Sequence, residues 1–280
     1  MNIQLVIADI DGTFLDSAGE PSQGALESIR RLRRHGIGFT LCSGRGDPGI
    51  RPFVELLELD QPYIVSGGAA IVNPRDHTVI IQHCLKPDQI NAIALHGIST
   101  GCNLVFHTPF QLFVFCSDEF WKTVCETRWI GRGGWKNIFR VQTWQELCDK
   151  PIIRIDFFNR LDRLPYLARE VEELGQQVHA YQMPSNLEIS DKSVSKGIAL
   201  VQLANYLNIP VNHVLSIGDN VNDISMLETA GVGVAMQNSL PQVISRADLL
   251  APSNDEGGLA SVIDHLLDGT LHCLKRNLCT

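Results

Sequence analysis

The chain has 280 residues, 44% hydrophobic and 19% charged, with a formal net charge of −8. This is an ordinary globular composition, with enough apolar material for one large or two modest cores. The diffuse acidic balance disfavours general binding to nucleic acid or anionic membrane, but a local cationic pocket can still take an anionic substrate.

Asp9 and Asp11 interrupt the first apolar run and no basic segment precedes it, so the N-terminus does not read as a secretory signal. No stretch approaches the roughly 18–20 apolar residues of a spanning helix. The eight Cys, at 42, 84, 102, 116, 125, 148, 273 and 279, form no CxxC pair. They read as reduced, mostly buried thiols of a cytoplasmic protein. His96 and His107 lie in one region without the spacing of metal ligands, so they read as ordinary helix and strand residues rather than a zinc pair.

In chain order, Ile3–Ala8 is a short apolar run that predicts a strand buried on both faces. Asp9-Ile10-Asp11-Gly12-Thr13 follows as a turn with two carboxylates. A helix is expected from about Ser22, with Ala25, Ile29 and Leu32 on one face and Gly36 to end it. Gly38–Cys42 reads as a second strand and Ser43-Gly44-Arg45-Gly46 as its loop. A helix around Ile50–Leu57 and a strand at Tyr63–Ser66 complete a β-α-β-α-β alternation, which argues for a parallel sheet with right-handed crossovers.

The middle of the chain differs. Strand candidates are Leu104–His107, Leu112–Phe115, Ile152–Phe157 and Gln177–Tyr181. Helices are expected at Pro87–Ser99, Asp118–Thr127 and Leu164–Leu174. All four Trp lie between 121 and 144. Arg128, Trp129, Arg132, Trp135, Lys136 and Arg140 interleave basic and aromatic residues, a pattern open to single-stranded nucleic acid, to a sugar pocket or to plain domain building. The acidic whole and the lack of a nucleic-acid motif weigh against the first.

The α/β grammar then returns, with a helix at Ser195–Leu207, a strand at Val214–Ile217 and the loop Gly218-Asp219-Asn220-Val221-Asn222-Asp223. A strand at Gly231–Ala235 and helices at Pro241–Arg246 and Leu259–Leu267 close the chain. The expected architecture is α/β: a doubly wound, Rossmann-like parallel sheet core, 1–83 and 187–280, with an inserted α+β cap domain, 84–186.

Asp9/Asp11, Ser43 and Asp219/Asn222/Asp223 all follow apolar strands, and Ser195-Lys196-Gly197 opens a helix. In an open parallel sheet the loops at the strand carboxyl ends converge on one crevice. Four acidic side chains there repel one another, and a divalent cation relieves this. An all-oxygen donor set suits Mg²⁺. Lys196 offers a point charge for a phosphate, while the Ser43 hydroxyl and the loop amides offer hydrogen bonds. Each piece alone has a plainer reading: a capped turn for Asp9–Thr13, a loop for Ser43–Arg45, a solvated residue for Lys196, a calcium-like or turn-rich loop for Gly218–Asp223.

Together, Asp9-Ile10-Asp11-Gly12-Thr13, Ser43, Lys196 and Gly218-Asp219-x-x-Asn222-Asp223 resemble the four motifs of the haloacid dehalogenase-like phosphatases. Their order, spacing and mid-chain insertion resemble the Cof-type subfamily. The resemblance implies that Asp9 is the nucleophile and a metal ligand, and that Asp11 is general acid then base, with its backbone carbonyl on the metal. It implies that Thr13 supports the motif loop and that Ser43, with Gly44 and Arg45, and Lys196 hold the phosphoryl group. Asp219 becomes the acidic metal ligand, with Asn222 and Asp223 positioning phosphate, metal waters and Lys196. One departure stands out: relatives usually show Asn-Gly-Ala after the third strand, whereas Gly67 occupies the Asn position here.

The function expected is a Mg²⁺-dependent phosphatase acting on small phosphorylated metabolites, such as sugar phosphates, through an aspartyl phosphate. A phosphomutase and a catalytically silent metabolite-binding protein are the alternatives. Neither a nucleic-acid nor a membrane partner is expected, and the protein is expected to be a monomer or homodimer.

Overall fold

The computed structural model describes residues 2–126, 137–158, 162–174, 177–183 and 185–274. Its core is a five-stranded sheet in the order β14-β13-β12-β1-β2, with every pairing parallel. The strands are β1 (Leu5–Ala8), β2 (Gly38–Leu41), β12 (Val214–Gly218), β13 (Val232–Met236) and β14 (Leu249–Ala251). The alternation along β1 accounts for the double winding. Leu5 and Ile7 pack among Ala199, Leu200 and Leu203 of helix Lys196–Tyr206. Val6 and Ala8 pack on the other side with Ala25, Ile29 and Leu32 of helix Gln23–Arg34 and with Val262 and Ile263 of helix Gly258–Leu267. A strand buried on both faces therefore shows no polar alternation, as its sequence suggests.

Chain order leads from β1 outward to β2, then back across to β12 on the other side of β1. The gap between β1 and β12 is the topological switch point of the sheet, where the loops splay apart and leave a crevice. Asp9 follows β1 and Asp219 follows β12, so both sit there.

The expected third parallel strand is a partial correction. β3 (Tyr63–Val65) meets the core through a single parallel bridge, Cys42 to Ile64, and otherwise starts an antiparallel sheet with β4 (Ala70–Val72) and β5 (Val79–Gln82). The turn after β3 explains this. Ser66, Gly67 and Gly68 have φ of 52°, 70° and 105°, three successive residues in the left-handed region. They fold the chain back on itself at once, and two glycines make that turn accessible. Asn also tolerates this region, so Gly67 keeps the backbone that an Asn would adopt and omits its side chain.

A six-stranded sheet, β10-β11-β9-β6-β7-β8, forms from the middle of the chain. Its strands are β6 (Asn103–His107), β7 (Leu112–Phe115), β8 (Ile138–Arg140), β9 (Arg154–Phe158), β10 (Val178–Gln182) and β11 (Leu187–Asp191). Helices Pro87–Ser99, Asp118–Glu126 and Leu164–Glu173 accompany it. Its extent departs from the segment 84–186 read from sequence, because β11 pairs with β9 and β10. Leu187 and Ile189 point into the apolar cluster with Leu104, Phe106, Ile155 and Phe157, and that burial fixes the register. Arg128, Trp129, Arg132, Trp135 and Lys136 lie outside the described residues. Arg140 pairs with Asp118 and stacks over Trp121. His96 and His107 have separate partners, Glu170 and Asp156.

Candidate active site

The loop after β1 is built around Gly12. Its φ is +81°, and a Cβ there would stand 2.4 Å from Asp219 Oδ2. A side chain would therefore push the two motif loops apart. Thr13 closes the same contact by donating its hydroxyl to Asp219 Oδ1 at 2.8 Å. Asp9 is tied to the neighbouring strand by its own N–H, donated to the Ile217 carbonyl at 2.9 Å.

Lys196 enters from the first turn of its helix, whose N-cap Ser195 accepts from Ile198 N. Its ammonium lies 2.5 Å from Asp9 Oδ1 and 2.5 Å from Asp223 Oδ1. Lys196 is 2% exposed, Asp9 5% and Asp223 0%. The other oxygen of Asp223 accepts the backbone N–H groups of Asp219 and Asn220. Asp223 is therefore spent on orienting Lys196 and shaping the loop.

Charge explains the protonation balance. Burial, opposed by Lys196 but reinforced by Asp223 and Asp219, holds the Asp9 carboxyl well above its usual range. Burial and Asp223 push Asp219 up to about 7, against Thr13 and Lys196. Burial alone would neutralise Lys196, but Asp223 and Asp9 outweigh it and keep the ammonium charged well above its usual pKa. Three crowded carboxylates face one ammonium, an excess of negative charge that a bound cation would relieve.

Asp9, Asp219 and Asp223 each place an oxygen within 4.8 Å of the others. The donors are all carboxylate, with no thiol or imidazole, so the set fits a hard divalent ion such as Mg²⁺. With Asp223 committed elsewhere, Asp9 and Asp219 remain as the side chains to hold it. The Asp11 carboxylate is not in this group. Arg45 binds it through two hydrogen bonds, at 2.8 and 2.5 Å.

Ser43, 1% exposed, accepts the Arg45 N–H at 3.1 Å. The left-handed turn buttresses its loop, with Gly67 N donating to Ser43 O and Ser66 N to Arg45 O. Gly44 lies beside Asn222 and Glu188. The structure thus brings Asp9, Asp11, Thr13, Ser43, Gly44, Arg45, Lys196, Asp219, Asn222 and Asp223 into one neighbourhood. Asp9, Asp11, Ser43, Gly44, Arg45 and Asn222 line a cavity of about 800 Å³.

The roof of that cavity went unread in the sequence. His107, Arg154, Asp156 and Glu188, all from the six-stranded sheet, line it. Register puts them on one face: His107 pairs with Arg154, and Asp156 with Glu188. The signal available was the alternation Arg154-Ile155-Asp156-Phe157, charged residues inside an apolar strand that require an inward polar face.

The model of the haloacid dehalogenase-like hydrolases matches residues 6–263. The chain is 29% identical to phosphatase YwpJ of Bacillus subtilis, over 95% of this chain and 100% of that one. It is 27% identical to pyridoxal phosphate phosphatase YbhA of Escherichia coli, again over 95% and 100%. A solved haloacid dehalogenase-like hydrolase from B. subtilis superposes with a TM-score of 0.82 at 26% identity, covering 94% of this chain and all of that one. With the motifs assembled and the match spanning core and insertion alike, the chain belongs to the haloacid dehalogenase-like hydrolases, in their Cof-type branch.

Proposed function

We propose that the protein is a Mg²⁺-dependent phosphatase of small phosphorylated metabolites, acting through an aspartyl phosphate on Asp9. It is a phosphoric monoester hydrolase, the activity that the names of its relatives carry. The observation that supports the chemistry best is the buried set Asp9–Lys196–Asp223 with Asp219 beside it, of which Asp9 lines the cavity.

Asp9 attacks phosphorus while Lys196 and Ser43 hold the phosphoryl oxygens. Asp9 and Asp219 would hold Mg²⁺, which would supply charge neutralisation and polarisation of the phosphate. Asp11, released from Arg45, gives a proton to the leaving oxygen and later takes one from the water that attacks the acyl phosphate. The six-stranded unit acts as a cap, excluding bulk water and contacting the leaving group. Arg154 links it to the core by donating to the Gly44 carbonyl.

Phosphate release from 4-nitrophenyl phosphate tests the reading. Turnover with Mg²⁺, its loss in EDTA and its return on adding Mg²⁺ are expected. Full turnover after rigorous metal removal, or none under any condition, would contradict it.

A further inference from the structure

Helix Asp47–Leu56 carries more apolar surface than the fold requires. Ile50 and Val54, with Leu57 at its C-cap, pack it into the core. Asp47, Arg51 and Glu55 form a polar line spaced by four, in which Arg51 pairs with Asp47. A third line, Pro48, Pro52 and Leu56, has the same spacing, so its members stack on one face. All three line the cavity that Asp9 and Ser43 line. Pro48 and Pro52 are half-buried and Leu56 is 46% exposed. A helix face turned to water is ordinarily polar. Folding therefore does not account for this one.

Position gives the line a direction. The helix starts directly after the Ser43–Gly46 loop, with Gly46 as its N-cap. The line thus begins beside the phosphate site and runs away from it, over about 12 Å from Pro48 to Leu56 at the α-helical rise. Leu112 of β7, Phe158 of β9 and Met183, just after β10, add apolar surface from the cap to the same cavity. A volume of about 800 Å³ is far more than a phosphoryl group fills and suits an organic body of drug-like size. The charged residues of the cap wall are turned toward one another, Arg154 to Asp156 and Glu188, and His107 to Asp156. Their hydrogen-bonding capacity is largely met within the wall, while the apolar line is left uncovered.

We infer that Pro48, Pro52 and Leu56 form a specificity surface for the leaving group. The preferred substrate is then a phosphomonoester whose alcohol carries an extended apolar body laid along this line. The cavity is continuous from Asp9 and Ser43 to Leu56, so the occupant of the apolar end is the alcohol of the ester held at the phosphate end. Part of the selection thus sits on the core helix rather than on the inserted unit. This rests on the phosphatase reading above.

The test compares kcat/KM, with Mg²⁺, for ethyl, butyl, hexyl and octyl phosphate, each below its micelle-forming concentration, and for glycerol 1-phosphate and D-sorbitol 6-phosphate. A rise of about two- to threefold per methylene is expected along the alkyl series. Octyl phosphate is expected to exceed both polyol esters. Neighbouring hydroxyls make the polyols the better leaving groups, so intrinsic reactivity runs against this order. The series uses the unaltered protein and needs no variant to fold. Leu56→Ser, at an exposed position, is expected to lower the octyl-to-ethyl ratio by about fivefold or more. Leu56→Met, which keeps an apolar chain of similar volume, is expected to retain most of that ratio. A flat alkyl series, polyol esters above octyl phosphate, or an unchanged ratio in Leu56→Ser overturns the assignment of this surface while leaving hydrolysis of 4-nitrophenyl phosphate intact. Absence of hydrolysis of 4-nitrophenyl phosphate overturns the phosphatase reading itself, and this inference with it.

Discussion

Arg45 grips Asp11 with both arms of its fork, Nε to Oδ2 at 2.8 Å and Nη2 to Oδ1 at 2.5 Å. Both oxygens of the proposed general acid are occupied in this state. Proton donation requires Asp11 to leave, which an incoming phosphate can drive by taking the guanidinium in its place. Arg45→Lys retains the charge but loses the planar fork. KM is expected to rise about tenfold, with kcat changed by less than about threefold. Steady-state kinetics on an alkyl phosphate checks this, and a fall in kcat at constant KM would contradict the exchange.

Lys196 is the one cation between two buried carboxylates, Asp9 and Asp223. Lys196→Met keeps most of the volume and leaves both anions uncompensated. Metal-free protein is expected to lose about 3–5 kcal/mol in urea unfolding. Mg²⁺ should restore part of this by binding Asp9 and Asp219. Turnover with Mg²⁺ should fall at least about 100-fold. Unchanged metal-free stability would mean that the pair is not buried as described.

The core was legible because its signals are local. Apolar runs ending in Asp9, Ser43 and Asp219 mark parallel strands and their carboxyl-end loops, and Ser195 marks a helix start next to Lys196. The roof was less so. The motif pattern stops at the insertion, and His107, Arg154, Asp156 and Glu188 converge only through strand register across β6, β9 and β11. Leu187–Asp191 reads as part of the core for a related reason: a five-residue strand close before Lys196 gives no sign of which sheet it joins. The sharp turn at Ser66–Gly68, which diverts β3 from the parallel sheet, depends on three backbone angles that composition only hints at.

Gly68 ties that turn to the helix that carries Lys196. Its φ is +105°, and a Cβ would lie 2.3 Å from the Ser195 carbonyl. Gly68→Ala must shift the start of the Lys196 helix or distort the turn, and is expected to cost about 2 kcal/mol or more. Thermal unfolding and kcat should fall together. A fully active, fully stable variant would contradict the close approach.

Glu188 has a signature in pH. Burial, with Asp156 adding and Arg154 opposing, pushes its carboxyl up to about 7 from 4.5. The folded state therefore holds a proton that the unfolded state releases between these values, and stability from this group is lost as pH rises through that window. Glu188→Gln removes the dependence. Its stability relative to the unaltered protein is expected to climb from pH 4.5 to 7 by up to about 3 kcal/mol, then level off. A flat difference across that range would contradict the burial of an ionisable Glu188.

The most direct test of the mechanism is to trap the covalent intermediate. Protein mixed with substrate and Mg²⁺ on a single-turnover timescale, quenched and reduced with borohydride, should carry homoserine at position 9, the reduction product of an aspartyl phosphate. Peptide mass mapping reads the site. The expected result is modification at Asp9 alone, absent without Mg²⁺ and absent in Asp9→Asn. Modification at Asp11 or elsewhere, or normal turnover by Asp9→Asn free of deamidation, would contradict the assignment of Asp9 as nucleophile.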